Sequence, residues 1–260
     1  MTIKRLVMFS GGIGSWAAAK RVAGQFGTDD MILLFADTKM EGEDLYRFID
    51  EAADNIGAPL IKLADGRDVW QVFFDRKYLG NTRIDPCSSI LKRQILDNWR
   101  NENCDSNQTI VYVGLDWTEK HRLVRLQKYV NPWKYEAPMC DKPYISKEKM
   151  VQNLIDEGIK PPRLYDMGFP HNNCGGFCIK AGQAHFLHLL DKMPERFKYH
   201  EDKEQELREY LKKDVSILRD RTGGTTKPLT LKELRERKEA KDCNLDTTEW
   251  GGCGCYGDAE

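Results

Sequence analysis

Residues 4–15 read Lys-Arg-Leu-Val-Met-Phe-Ser-Gly-Gly-Ile-Gly-Ser, and this stretch decides the fold. Its apolar beginning, residues 4–9, predicts a short buried strand, and residues 16–26 predict the helix that follows. Glycines let the backbone between them turn tightly and approach an anion, and the N–H groups at a helix start favour negative charge. The Ser10 and Ser15 hydroxyls add hydrogen-bond donors. The stretch therefore predicts a phosphate-binding loop, with a plain strand–turn–helix connection as the alternative.

Apolar strands and amphipathic helices alternate through the rest of the first 130 residues. Parallel strands need crossover connections, usually helices, so this alternation predicts a doubly wound parallel α/β sheet with right-handed crossovers. The predicted strands are 31–36, 59–63 and 109–115, and the predicted helices are 43–56, 69–74 and 88–100, the last capped by Ser88 or Ser89.

The pattern changes after Pro132, where prolines become frequent. One helix is predicted over 147–157, and others over 178–192, 194–213 and from Leu231, which Thr230 would cap. We therefore predict two regions. Residues 1–130 form the phosphate-binding α/β domain, and residues 131–260 form a loop-rich, helical region that contains a cysteine cluster.

The loop motif Ser-Gly-Gly-x-x-Ser at residues 10–15 resembles the PP-loop of the ATP pyrophosphatase superfamily. Three later segments resemble its phosphoadenosine phosphosulfate (PAPS) reductase branch: Asp37-Thr38-x-x-x-x-Glu43, residues 87–93 and residues 114–122. The loop is neither a Walker A motif, which ends in Gly-Lys-Ser/Thr, nor a G-x-G-x-x-G dinucleotide fingerprint. The resemblance implies an adenine nucleotide alpha hydrolase-like fold that binds ATP, adenylyl sulfate or PAPS at the carboxyl edge of its strands.

The resemblance also implies which side chains meet the nucleotide. Asp37 ends a strand at the position where ribose or a metal binds in such sheets, and cations further along could bind phosphate or sulfate. We predict catalytic roles for Ser10, Asp37 and Arg122. The predicted nucleotide-binding residues are Ser10, Gly11, Gly12, Gly14, Ser15, Asp37, Lys92, Arg93, Gly114, Arg122 and Arg125. In the alternative interpretation, Asp37 belongs to an acid-rich helix N-terminus, and the cations lie on solvated, salt-bridged helix faces.

One loop position departs from the resemblance. Many members of the superfamily have Asp before the last Ser of the loop, whereas this chain has Gly14. Loss of that carboxylate would weaken Mg²⁺ binding. The sequence therefore predicts nucleotide binding and leaves Mg²⁺-dependent ATP cleavage open.

Cysteines are numerous, with eight in 260 residues and five of them after residue 170. In a reducing compartment such thiols serve more often as ligands or reactive groups than as disulfides. Cys174 and Cys178, at the start of a predicted helix, and Cys253 and Cys255 in the tail predict a four-ligand metal site. Relatives on the resembled branch carry a [4Fe–4S] cluster, which we prefer to zinc. The alternatives are free thiols, a redox-active Cys253–Cys255 pair, or ligand substitution by Cys140 and Cys243.

Composition and charge limit the kinds of partner that we expect for this chain. The net charge of −1 excludes a polycation, so any nucleic-acid contact must come from a local patch. The longest apolar stretch, residues 31–36, is too short for a membrane span, and the N-terminus lacks a signal-peptide pattern, which predicts a cytoplasmic protein. Expected partners are an adenine nucleotide, a sulfur donor or reductant, and a tRNA or DNA substrate. The sequence is compatible with a homodimer.

Three functions compete. The first is ATP-dependent adenylation of a substrate coupled to sulfur transfer. The second is reduction of PAPS or adenylyl sulfate with release of sulfite, although the tail reads Gly-Gly-Cys-Gly-Cys-Tyr and lacks the Glu-Cys-Gly-Leu-His motif of those reductases. The third is a non-catalytic nucleotide- or cluster-binding module, which Gly14 favours.

Overall fold

The structure, a computed structural model, describes residues 3–81, 84–129 and 132–252. In chain order, the strands are β1 Arg5–Met8, β2 Met31–Asp37, β3 Leu60–Ala64, β4 Ile110–Val113, β5 Lys134–Glu136, β6 Leu218–Asp220 and β7 Lys227–Leu229. The helices are α1 Ile13–Phe26, α2 Glu43–Ile56, α3 Val69–Arg76, α4 Pro86–Ser88, α5 Ile95–Asn103, α6 Lys120–Tyr129, α7 Lys147–Asp156, α8 Arg163–Asp166, α9 Gln183–Lys192, α10 Pro194–Leu211 and α11 Leu231–Glu239. A π-helix, Ser89–Gln94, connects α4 and α5.

Five strands form one sheet in the order β3-β2-β1-β4-β5, and every pair of neighbours is parallel. β1 lies in the middle, with Val7 beside Leu33 of β2 on one side and beside Tyr112 of β4 on the other. Helices cover both faces of this sheet. The predicted doubly wound α/β fold is therefore confirmed.

Alternation along the strands divides the core into two layers. Val7, Leu33 and Phe35 face the layer that α1, α2 and α7 cover, where Phe48 and Leu154 are buried. The intervening residues face the opposite layer, which α5 and α6 cover; they include Leu6, Met8, Leu34, Val111 and Val113. Strands buried on both faces read as continuous apolar runs, which is why residues 31–36 carry no polar side chain.

The described residues form two compact units. One comprises residues 3–66 and 91–175 and contains the parallel sheet; the other comprises residues 67–90 and 176–252. The second unit contains α3, α9, α10, α11 and the antiparallel pair β6–β7. Its core includes an aromatic group in which the His200 ring stacks on Phe177 at 3.7 Å and its Nδ1 accepts a hydrogen bond from Trp70 Nε1 at 3.0 Å.

These units do not coincide with the predicted ranges 1–130 and 131–260. The predicted boundary falls between β4 and β5, yet Val111 of β4 pairs with Tyr135 of β5 in the same sheet. β5 has only three residues, too few for an alternation pattern to reveal it in the sequence.

Three predicted helices start elsewhere, and the first of them, predicted over residues 16–26, begins at Ile13. The helix predicted from residue 178 begins at Gln183, because Ala181 forms an isolated β-bridge with Gly251 and Gly182 is extended at the N-cap. The helix predicted from Ser88 begins earlier, with Asp85 at the N-cap and Pro86 in the first position. Proline is suited to this position, because an N–H there would have no partner within the helix. None of the helices within the described residues has the length and hydropathy that a membrane span requires.

Candidate functional site

The predicted phosphate-binding loop, residues 10–15, lies at the point where the strand order reverses. From β1 the chain continues outward to β2 and β3, and then returns to place β4 on the other side of β1. In open parallel sheets, ligands bind outside the carboxyl ends of the strands at such a point. Residues 9–12 leave the carboxyl end of β1 there, and Gly114 leaves that of β4.

The loop places the N-terminus of α1 at this reversal point. Gly11 has a left-handed φ of 75°, and Gly12, the N-cap of α1, has no side chain to accept from the first-turn N–H groups. Ser15 turns inward: its Oγ donates to the Gly12 carbonyl at 2.8 Å and lies 3.4 Å from the Ser10 Oγ. The first turn also lacks an acidic residue. Backbone N–H groups and the helix dipole therefore favour an anion here.

The backbones at Gly14 and Gly114 lie so close together that neither position has room for a side chain. A Cβ on Gly14 would lie 2.8 Å from the Gly114 carbonyl oxygen, and a Cβ on Gly114 would lie 2.6 Å from both Cα and N of Ser15. The two backbones thus approach more closely than any side chain permits. An Asp at position 14 would therefore force the β1 and β4 loops apart.

Two residues outside the predicted site contact the loop. Asn172 Nδ2 donates to the Gly11 carbonyl at 3.1 Å and is buried, and the Tyr165 hydroxyl lies 3.5 Å from the Ile13 backbone nitrogen. Both follow the loop by about 150 residues of chain, and the sequence analysis missed them. The only signal for Asn172 was its position beside the cysteine motif at Cys174.

Asp37 lies at the carboxyl end of β2 and is buried. Its Oδ1 accepts from the Lys39 backbone N–H and the Tyr46 hydroxyl, both at 2.8 Å, and its Oδ2 accepts from the Lys39 ammonium at 2.9 Å. Burial alone would raise the pKa of Asp37, but the bonds from Lys39 and Tyr46 outweigh it and hold that pKa below its usual range. The carboxylate is ionised and fixed in orientation.

Glu41, Lys92 and Cys174 meet at the same edge of the sheet; we call them the buried charge cluster. Glu41 accepts from the Thr38 hydroxyl at 3.0 Å and from the Cys174 backbone N–H. The Lys92 ammonium lies 3.9 Å from Glu41 Oε1 and 4.0 Å from the Cys174 Sγ. Burial raises the pKa of Glu41, although Lys92, Thr38 and Cys174 partly offset this effect. Cys174 has a left-handed φ of 51°, a strained conformation that tends to occur at functional sites.

The other predicted cations are placed differently. Arg122 pairs with Glu119 one turn earlier, and only 14% of its side chain is exposed. Arg125 is exposed on α6, and Arg93 is half-buried and interacts electrostatically with Asp97. Among the predicted cations, the structure thus buries Lys92 most deeply beside other polar groups of the site.

The predicted metal site is only partly covered by the structure. Cys174 and Cys178 are both buried, whereas Cys253 and Cys255 lie outside the described residues. Within residues 3–81, 84–129 and 132–252, no three His, Cys, Asp or Glu side chains group as metal ligands. Of the two substitutes, Cys243 is exposed, and the Cys140 thiol donates to the Asp116 carbonyl at 3.1 Å. The cluster stays a prediction.

No family model matches the chain, and no curated protein does. Similar solved structures include PAPS reductase from Candida auris in a phosphate complex, with 13% identity, a TM-score of 0.47, and coverage of 63% of this chain and 78% of that one. Another is NH3-dependent NAD synthetase from Campylobacter jejuni in complex with nitrate, with 11% identity, a TM-score of 0.41, and coverage of 82% and 83%. A PAPS reductase is thus among the structures to which the chain is similar. At this level of similarity, the function proposed below rests on the residues of this chain.

Proposed function

We propose that this chain is a PP-loop enzyme that binds an adenine nucleotide at the reversal point between β1 and β4. The observation that carries the proposal is the loop itself. The N-cap of α1 has no side chain, and the close contact between Gly14 and Gly114 brings the ends of β1 and β4 together beside this helix N-terminus, where we place the anion. Asn172 supports the loop from Gly11. The Ser-Gly-Gly-x-x-Ser pattern supports an adenine nucleotide as the ligand.

The reaction we propose is adenylation followed by sulfur transfer. An acceptor oxygen attacks the α-phosphorus of ATP, the bond to the bridging oxygen breaks, and pyrophosphate leaves. Sulfur from a donor then displaces AMP. Loop N–H groups and the Ser10 hydroxyl would hold phosphate oxygens, and Lys92 and Arg122 would offset the charge that builds on them. Asp37, already ionised, would accept from the ribose.

Mg²⁺ would fit this site mainly through the nucleotide. Position 14 has no room for a carboxylate, and both oxygens of Asp37 already accept hydrogen bonds. Mg²⁺ commonly keeps several waters and binds through substrate phosphates with one or two carboxylates. Protein residues would therefore position the phosphates, and the ion would supply charge neutralisation.

The test is pyrophosphate release from ATP by anaerobically purified protein with tRNA or DNA present as the acceptor, measured alongside binding of ATP, adenylyl sulfate and PAPS. Ser10→Ala should weaken ATP binding and slow pyrophosphate release. Ser216→Ala, in the second unit, is a control that should change neither. Binding without any turnover would favour the non-catalytic module, and no binding of any of the three nucleotides would refute the proposal.

A second candidate is reduction of a sulfonucleotide, and one observation favours it. The Cys174 thiol lies 4.0 Å from the Lys92 ammonium, two residues after Asn172, which bonds the loop. Such a thiolate could attack the sulfur of adenylyl sulfate, breaking the sulfur–oxygen bond and releasing AMP. A second thiol must then attack Cys174 to release sulfite and leave a disulfide. Sulfite release from a sulfonucleotide, absent in Cys174→Ser, would rank this reaction first.

A further inference from the structure

Two aromatic rings contact each other on the surface of the sheet-containing unit. Trp117 and Tyr144 lie with ring centroids 5.7 Å apart and an interplanar angle of 35°, yet they are 46% and 53% exposed. Large aromatic side chains usually bury their area, and a pair left in solvent together marks an interaction surface. We call Trp117 and Tyr144 the aromatic pair.

Other residues hold the loop of Tyr144 in place. Arg21 of α1 donates to three backbone carbonyls of that loop: those of Pro138 at 2.7 Å, Asp141 at 3.1 Å and Pro143 at 2.9 Å. A single guanidinium thus fixes six residues of chain that end beside Tyr144. The backbone that leads to Tyr144 is therefore held in place.

The loop of Trp117 is held as well. The Cys140 thiol donates to the Asp116 carbonyl at 3.1 Å, which joins this loop to the one that carries Tyr144. The Asp116 carboxylate in turn accepts from the Thr118 backbone N–H at 2.8 Å and caps the turn that contains Trp117. The aromatic pair is therefore a preformed surface, which lowers the ordering cost of binding.

Positive charge lies along α6, which begins three residues after Trp117. Glu119 lies between them and pairs with Arg122. The helix itself carries four cations and no acid: Lys120, Arg122, Arg125 and Lys128. Leu123 and Leu126 face the core, while Lys120, Arg125 and Lys128 are exposed. By contrast, α10 carries four Lys/Arg and six Asp/Glu. A basic stripe next to exposed rings suits a ligand that has both phosphates and flat bases.

We propose that the aromatic pair and α6 bind the acceptor substrate, a single-stranded nucleic acid, with an unpaired base stacked on Trp117. This inference rests on the proposed adenylation, because it names the acceptor. Only two residues separate Trp117 from Gly114, whose backbone lies against Gly14 and Ser15, so a nucleic-acid strand on this surface lies close to the proposed nucleotide site. Unpaired bases can stack on side chains, whereas bases in a duplex are already stacked.

The test measures binding of a fluorescein-labelled 20-nucleotide single strand, as RNA and as DNA, by anisotropy with the full chain and without ATP. Trp117→Ala should weaken binding about tenfold, and Trp117→Phe should restore most of it. Lys120→Gln should lower the slope of log affinity against log salt by about 0.7. Tyr210→Ala is the matched control. Tyr210 is 52% exposed and its ring centroid lies 5.5 Å from that of Phe74, but it is part of the acidic helix α10.

The outcomes separate this inference from the proposed function. Equal binding by wild type and Trp117→Ala would overturn it, as would a duplex that binds as tightly as the single strand. Loss of ATP affinity in Trp117→Ala with unchanged oligonucleotide binding would also overturn it, because the ring would then stack on the nucleotide's adenine. Oligonucleotide binding is measured without ATP, so absence of pyrophosphate release would refute the adenylation while leaving the binding result intact.

Discussion

Glu41 and Glu204 are both buried carboxylates, one in each compact unit, and their surroundings differ. Glu204 accepts two backbone hydrogen bonds, from Ile217 at 2.8 Å and Leu231 at 2.6 Å. Glu41 instead faces a lysine ammonium and the backbone of a cysteine. Glu204 thus joins three chain segments through neutral partners, which is a structural role. Glu41 holds charge at the edge of the sheet, where an anionic ligand can alter its balance.

The largest expected effect is on the free energy of unfolding, measured with and without ATP. It should distinguish the proposed role of Glu41 at the nucleotide site from the structural role of Glu204. Glu41→Gln removes the negative charge next to Lys92, which is only 9% exposed, and breaking such a buried pair costs about 3 kcal/mol. Phosphates of bound ATP would supply the lost negative charge. Saturating ATP should therefore stabilise Glu41→Gln against urea by more than it stabilises the wild type. Glu204→Gln should gain only what the wild type gains. Equal gains in all three proteins would place Glu41 outside the nucleotide site.

Gly114→Ala tests the contact between the two loops. Its Cβ would lie 2.6 Å from Ser15 backbone atoms, so the loop must move by a fraction of an ångström or more. A displacement of that order can slow a reaction between positioned groups about 100-fold, so we expect a fall of this size in the rate of pyrophosphate release and weaker ATP binding by calorimetry. Gly24→Ala is the matched control in α1, where a Cβ meets nothing within 4 Å, and it should stabilise the helix by about 0.5–1 kcal/mol. Unchanged affinity in Gly114→Ala would show that the close approach does not shape the site.

Local features of the site could be predicted from the sequence, whereas contacts between residues far apart in the chain could not. Residues 43–56 were predicted as a helix with the observed bounds, because their apolar side chains recur at helical spacing. The Ser10–Ser15 loop was recognisable for a similar local reason. The contact of Gly14 with Gly114 joins residues 100 positions apart, and that of Asn172 with Gly11 joins residues still further apart. Such contacts depend on strand order, which local patterns do not encode, so the close fit of Gly14 against Gly114 could not be predicted from the sequence.

Glu204 should make stability depend on pH in the same direction as Glu41, because burial raises the pKa of both carboxyl groups. Burial raises the pKa of Glu204 to about 7, against hydrogen bonds from Ile217 and Leu231 that lower it. The folded state therefore holds a proton that the unfolded chain releases near its ordinary pKa. Stability from this group is complete below about pH 4.5 and is lost as pH rises through 7, by about 2 kcal/mol between pH 5 and pH 7.

The measurement is urea unfolding at pH 5, 6 and 7 for wild type and Glu204→Gln. Other groups, such as Asp37 with its lowered pKa, contribute the opposite slope, so the difference between the two proteins isolates Glu204. Wild type should lose about 2 kcal/mol relative to the variant across this range. A constant difference would mean that Glu204 is ionised throughout, and its two backbone donors would then outweigh burial.

The smallest expected effect concerns Thr230 in the second unit. This residue precedes Leu231, which donates a hydrogen bond to Glu204. Thr230 caps α11, its Oγ1 accepting from the Glu233 backbone N–H at 3.1 Å, as predicted from the sequence. Thr230→Ala leaves that N–H without its cap and should cost about 1 kcal/mol in urea unfolding. Thr230→Ser, which keeps the hydroxyl, should retain most of the stability. ATP affinity should stay unchanged in both variants, because a cap in this unit affects stability alone. A drop in affinity at 25 °C, where the folded fraction remains near one, would instead couple α11 to the nucleotide site and remove the distinction between the two buried carboxylates.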